Sequence, residues 1–362
     1  MNRIIYNKPE SSLIEYSPEM TENVEKLKSI NWYRTKLDRQ AFKDLHRRSD
    51  RKGFLQASGH LVFLLLTGLA AWLSVGNLPL IFVLLLLLLH GTFFAFILNG
   101  FHELIHRTVF TSKRLNGFFL NIYSFIGIHN PILFWASHTE HHKYTLHPPR
   151  DLEVVLPVAL TLKGFLSSGL IDPIGLYQRI KQNVRLASGR LEGDWENALF
   201  PESKPEERKK LFAWARILLF GHATILAISI YFQLWFLPVI TTLAPFYGSW
   251  LLYFCNHAQH TGLQNNKPDF RFCCRTIILH PVVQFLYWHM NYHTEHHMYA
   301  SVPCYNLGKL HQCIKHDLPR CPVGLIETWK QIVGILKKQK NDPSYQYIPV
   351  WDDNLSDSRK MI

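Results

Sequence analysis

Two long stretches almost without charge constrain this chain more than any other feature. Residues 53–106 contain no Lys or Arg and a single acid, Glu103, and residues 217–266 contain no charged residue at all. A membrane helix needs about 20 mostly apolar residues, so each stretch has room for two crossings joined by a short turn. The crossings are expected at residues 60–75, 78–101, 211–232 and 234–255, with turns at Gly76-Asn77-Leu78-Pro79 and Gln233-Leu234-Trp235. In a water-soluble fold the run 81–89 would be an aggregation hazard. The formal net charge of +12 and pI near 9.4 do not point to nucleic acid, because the basic residues flank the apolar segments. Arg34, Lys36, Arg39, Lys43, Arg47, Arg48, Arg51 and Lys52 crowd the approach to the first crossing while both turns carry none. The positive-inside rule then places the termini and residues 107–214 in the cytoplasm.

The second constraint is a repeated string. His-Thr-Glu-His-His occurs at residues 138–142 and again at 293–297. In a helix the first, fourth and fifth positions of H-x-x-H-H share one face, so each string is expected to aim three imidazoles at one point. Upstream of each lies a pair four residues apart, His102 with His106 and Asn256 with His260, and the gaps to the strings are 32 and 33 residues. This reads as a degenerate internal duplication, each half supplying a pair and then a triple. Neutral imidazole is the commonest protein ligand for iron, zinc or copper. A lone histidine is usually a hydrogen-bonded core residue, but a repeated triple points to metal.

Two other metal chemistries fit less well. His102-Glu103-Leu104-Ile105-His106 matches H-E-x-x-H, in which two histidines bind zinc and the Glu is the general base of a protease. One zinc with three protein ligands and an open position leaves the two triples unused, so an intramembrane zinc metalloprotease is a distant alternative. A metal transporter would place ligands near the bilayer midplane, where only His60, His90 and His222 fall. These three lack any fixed spacing and are expected to make interhelical hydrogen bonds.

The remaining segments support a single domain, divided into an N-terminal region (1–58), a membrane part (59–320) and a C-terminal helix and tail (321–362). Ser17-Pro18-Glu19 is a candidate helix start. Residues 115–135 are expected to form an interfacial helix interrupted at His129-Asn130-Pro131 before the His138 helix. Residues 154–177 are half-polar, 324–338 form an amphipathic helix, and the tail after Asn341 is loosely held. The polar start lacks the order of a cleaved signal, so insertion is expected to use the first hairpin. The six cysteines (Cys255, Cys273, Cys274, Cys304, Cys313 and Cys321) form no C-x-x-C pair and are assigned to packing.

H-x-x-x-H, H-x-x-H-H, N-x-x-x-H and H-x-x-H-H on two membrane hairpins together resemble the membrane fatty acid desaturase superfamily and its related hydroxylases, over about residues 38–317. The resemblance implies an all-α integral membrane protein with four transmembrane helices in two hairpins and a cytosolic helical cap holding a histidine-rich di-metal site. It further implies two iron ions, O2 as co-substrate and a lipid or fatty acyl substrate. The ligands carried over are His102, His106, His138, His141, His142, His260, His293, His296 and His297, with Asn256 reaching an iron through water. His257 competes with Asn256 for that place, and His147 and His289 are further candidates. Ferrous charge calls for carboxylates that accept the second imidazole N–H; Glu103, Glu140, Glu295 and Asp151 stand in or beside the strings.

The expected activity is O2-dependent removal of hydrogen from an acyl chain, as a fatty acid desaturase. Hydroxylase, oxidative decarboxylase and carotenoid or alkane oxygenase chemistry are the alternatives within the superfamily. The chain has neither an H-P-G-G haem string nor a cysteine cluster. The third family box begins with His293 and not Gln, unlike the desaturases fused to a cytochrome. An external electron donor of the ferredoxin, rubredoxin or cytochrome b5 type is therefore expected to dock on the basic surface.

Overall fold

The computed structural model describes residues 30–156 and 160–351, so the Ser17-Pro18-Glu19 helix start lies outside the described residues. Helix α1 (Arg39–Leu45) starts at Asp38, whose carboxylate accepts from the backbone N–H groups of Gln40 and Ala41. Helix α2 (Asp50–Ser74) is capped by Ser49 Oγ, which accepts from Lys52 N. The cap explains why α2 begins ten residues before the apolar segment expected at residue 60: helix ends follow capping chemistry, not hydropathy. Helices α3 (Leu80–Ala95) and α4 (Ile97–Ile105) follow, separated by Phe96, and together make one 26-residue apolar candidate span.

Asn130 sharply re-aims the next pair. Helix α5 (Lys113–Ile126) and helix α6 (Pro131–Tyr144) meet at 102°, across the His129-Asn130-Pro131 break. The Asn130 side chain accepts from the N–H groups of Ile132 and Leu133, and Pro131 opens α6, where a missing N–H costs nothing. A short helix (Leu162–Phe165) and a π turn (Leu166–Leu170) lead into helix α7 (Pro173–Ala187). Helix α8 (Pro205–Tyr231) is the third segment long and apolar enough to cross a membrane. It too begins before its apolar part, with Pro205 in its first turn.

The expected crossing at 234–255 is not one helix. It is broken into Leu237–Ile240, a 3-10 turn at Ala244–Phe246 and helix α9 (Trp250–His257). Pro238 and Pro245 lack an N–H and are tolerated only in the first turn of a helix, so each opens a new short turn where a continuous helix would have it in the interior. Gly248, at φ +70°, presses so closely on α3 that a Cβ there would stand 2.8 Å from Thr92 N and 2.9 Å from Leu88 O. The segment is thus seated on α3 by a backbone contact that only glycine permits.

Helix α10 (His293–Met298), helix α11 (Leu307–Ile314) and helix α12 (Gly324–Asn341) follow. Thr328, Ile332 and Ile335 form the buried face of α12. One apolar cluster runs from Leu45 through Phe101, Tyr123 and Trp288 to Ile332, so elements from both ends share a core. Among the described residues there are isolated bridges but no strands. His60, His90 and His222 tie segments together: His60 accepts from Trp288 Nε1, while His90 and His222 reach the carbonyls of Ile240 and Phe125.

Candidate metal centre

Helices α4, α6 and α10 and the segment after α9 bring nine histidines into two adjacent groups. The first holds His102, His106, His138, His142 and His296; the second holds His141, His260, His293 and His297. Within each group the candidate nitrogens lie within 4.8 Å of one another, close to the scale set by two metal–nitrogen bonds of about 2.0–2.1 Å across one ion.

Each triple is split between the groups, and this corrects the expectation that three imidazoles of one string meet at one point. At 3.6 residues per turn, i and i+4 differ by about 40° around the helix, whereas i+3 and i+4 differ by about 100°. His138 and His142 therefore stay together, as do His293 and His297, while His141 and His296 each cross to the other group. Every group so needs both halves of the chain. His142 stacks on His297 with ring centres 4.4 Å apart, which places the two groups side by side.

The hydrogen-bond pattern indicates what these rings are for. His138 Nδ1 donates to Glu153 Oε1 (2.8 Å) and His141 Nδ1 to Asp151 Oδ2 (2.8 Å). His260 Nδ1 donates to the Cys273 carbonyl (2.7 Å), and His297 Nδ1 faces Thr145 Oγ1 (3.1 Å), whose own proton goes to His141 O. A neutral imidazole has one N–H, so in their neutral form these rings each leave Nε2 as a bare lone pair. Yet His138 Nε2 lies 2.9 Å from His142 Nε2 and 3.2 Å from His106 Nε2, and His293 Nε2 lies 2.9 Å from His260 Nε2 and 3.2 Å from His297 Nε2. One N–H can bridge two such nitrogens, whereas a cation among them accepts the lone pairs of all the rings at once. Both ring nitrogens of His296 are buried without a hydrogen-bond partner, as is Asn256 Oδ1. The donor set thus fits metal ions.

Burial and charge hold the ligand state. Burial pushes His260 down to about 3, with the neighbouring His141 adding to the effect, so it is neutral and ligand-competent at pH 7. For Asp151, burial works to raise the pKa, but His141 and the Leu146 and Glu153 N–H groups outweigh it and hold the carboxyl below its ordinary value. Burial lifts Glu153 to about 7.

Several expected residues take other places. Glu140 pairs with Lys143 Nζ at 2.8 Å in a partly exposed i,i+3 bridge and is not the carboxylate behind an imidazole. The carboxylate behind His138 is Glu153, which the sequence reading missed; its only signal was an acid soon after the first string. Glu295 accepts from Thr276 Oγ1 and His311 Nδ1, neither of them in the nine. Glu103 Oε1 accepts from His102 Nδ1 at 3.0 Å and lies 3.5 Å from His296 Nδ1, between the two halves. His257 bonds Tyr253 O, His147 bonds Thr145 O and His289 faces Gln284; the two groups include none of the three. The side chains of Thr145 and the Cys273 carbonyl could not be assigned from sequence, because they act through contacts between distant segments.

No curated protein matches the chain. Residues 77–329, more than half of it, match the family described as Fatty acid desaturase. That segment contains all nine clustered histidines. Family match, apolar helices and paired histidine groups agree: the chain belongs to the fatty acid desaturase family, oxidoreductases of the desaturase and hydroxylase type that act on lipid at the membrane.

Proposed function

We propose that this protein is a multi-pass membrane di-iron oxidoreductase that uses O2 and external electrons to remove hydrogen from a lipid acyl chain, as a fatty acid desaturase. The observation that carries the reading is the exchange of His141 and His296 between the two halves, which makes two adjacent nitrogen-rich sites of one polypeptide. A single tetrahedral zinc has no use for nine imidazoles in two groups. When bound there, two irons supply the activation of O2 and the attack on an unactivated C–H bond.

The chain's own residues hold and shield that chemistry. Glu103, Asp151 and Glu153 accept imidazole N–H groups, fix the tautomers and make Nε2 more basic. Asn256 is assigned the part of holding a water at the second group, because its buried Oδ1 lacks a partner and its sequence position mirrors that of His102. The histidines lie buried or half-buried, which limits the approach of bulk water to the side of His106 and His142. A cavity of about 400 Å³, bounded by Trp32, Arg34, Trp135 and Lys143, opens onto His106 and His142. The exposed Arg34 at its edge suits an acidic one-electron donor of the ferredoxin, rubredoxin or cytochrome b5 type, docking from the cytoplasm, while Lys143 is matched by Glu140.

Metal analysis of protein purified in mild detergent tests the reading. Two irons per chain and little zinc are expected, and one zinc without iron would favour the protease instead. Product analysis by mass spectrometry in a host expressing the chain, beside His141→Ala, separates a desaturated from a hydroxylated, decarboxylated or carotenoid product.

A further inference from the structure

Outside the histidine groups, the cavity between α6 and α7 is the most chemically specific feature. It measures about 230 Å³ and is lined among others by Phe134, Ser137, Gln178, Arg179, Lys181 and Asn183. Ser137 Oγ donates to Glu153, the carboxylate behind His138, and Phe134 stacks on His138 with centres 4.9 Å apart. One wall is therefore the back of the first histidine group. A smaller cavity of about 90 Å³ shares His129 and Arg179 with it and continues past Ile97, Leu98 and Leu252 to Asn256 and His257.

The wider cavity suits an anion with hydroxyl groups. Arg179, Lys181 and Arg185 line it together with one acid, Glu192; Arg185 is matched by Glu196 at 2.6 Å and by Glu192 at 3.2 Å. Arg179 donates to Ile128 O and His129 Nδ1, and Lys181 stands exposed at the rim. Asn183 is buried, gives its N–H to Arg179 O at 2.9 Å, and leaves Oδ1 without a partner. A buried acceptor of this kind calls for a donor.

The surroundings say where such a ligand comes from. On α7, Ile174, Tyr177, Ile180 and Val184 are 45%, 64%, 50% and 52% exposed, spaced along one face, and Leu162, Leu166 and Ile171 extend the apolar patch. Leu186 packs with Leu211 and Ala215 of α8, while Leu176 packs near Leu218, so α7 lies along residues 211–218. Arg216 Nε donates to Ala187 O at 2.9 Å and is the last charge before the charge-free stretch. Helix α7 thus straddles the level at which α8 passes from water to hydrocarbon, with an apolar face suited to the bilayer surface.

We propose that the 230 Å³ cavity holds the phosphate-bearing head group of a membrane glycerophospholipid, so that the acyl chain enters the enzyme while still esterified. The substrate assignment rests on the lipid oxidoreductase reading above; the head-group site does not need turnover to be tested. Full-length protein in detergent is equilibrated with dioleoylphosphatidylglycerol, and retained lipid is counted by native mass spectrometry. Dioleoylglycerol supplies the same chains without phosphate, and sn-glycerol 3-phosphate supplies the phosphate without chains. The phospholipid is expected to bind about tenfold more tightly than dioleoylglycerol, and Lys181→Glu to lose about tenfold. The exposed control Lys210→Glu is expected to bind as the parent does. Equal retention of the two lipids, or an unaffected Lys181→Glu variant of unchanged thermal stability, overturns the proposal. Displacement by glycerol 3-phosphate at concentrations matching the phospholipid also overturns it, by assigning the site to a soluble phosphate ester. Metal content of the same samples separates the two claims: phosphate selectivity without iron supports the head-group site and sinks the oxidoreductase, and iron without selectivity does the reverse.

Discussion

Glu153→Gln discriminates between the support expected from sequence and the support found in space. Glu153 is buried, accepts from His138 Nδ1 at 2.8 Å and from Ser137 Oγ at 2.9 Å, and the substitution keeps its shape while removing its charge. Loss of a carboxylate behind a ligating imidazole typically weakens metal binding about 10–100-fold, or roughly 1.4–2.8 kcal/mol at 1.4 kcal/mol per decade. Glu140, by contrast, makes only a partly exposed bridge to Lys143, worth about 0–1 kcal/mol and unconnected to an imidazole. Iron retained against a graded series of chelator, read by mass spectrometry of the metal, is the assay. Glu153→Gln is expected to release iron at about 10–100-fold lower chelator than the parent, with Glu140→Gln indistinguishable from it. Equal loss in the two variants, or retention by Glu153→Gln, refutes the claim that the Glu153 contact tunes the first group.

His141→Ala and His296→Ala are each expected to abolish turnover, with no further loss when combined because both serve one unit; measurable turnover in either would refute a shared centre. His60→Ala is expected to retain turnover per folded molecule but to be less stable by about 1–3 kcal/mol in thermal unfolding, since it strands the buried Trp288 Nε1–H. Gly248→Ala places a Cβ against Thr92 N and Leu88 O at positive φ, and a cost above about 1 kcal/mol is expected in thermal unfolding. Cysteine-accessibility labelling should find Lys113 and Lys267 on the cytoplasmic side and Asn77 and Gln233 on the other; Lys113 and Lys267 on opposite faces would separate the histidine sets by about 30 Å of hydrocarbon and end the di-iron proposal.

What the sequence determined by itself is the chemistry and its rough placement. Charge-free length, the repeated H-x-x-H-H and the matching gaps are local properties, carried by the linear order of residue types. So is the bend at His129-Asn130-Pro131, because proline and an Asn cap act within a few residues. What only the tertiary structure decided is which groups meet. The splitting of each triple depends on another helix approaching the side that His141 or His296 presents. The choice of Glu153 over Glu140 depends on where the segment after α6 turns back. The breaks in the 234–255 limb were visible as prolines, but its seat on α3 depends on glycines at both sides of one contact, Gly91 and Gly248. Residue type and helical period set what each side chain is able to do, whereas long-range packing selects its partner, and the metal centre is built from those partners.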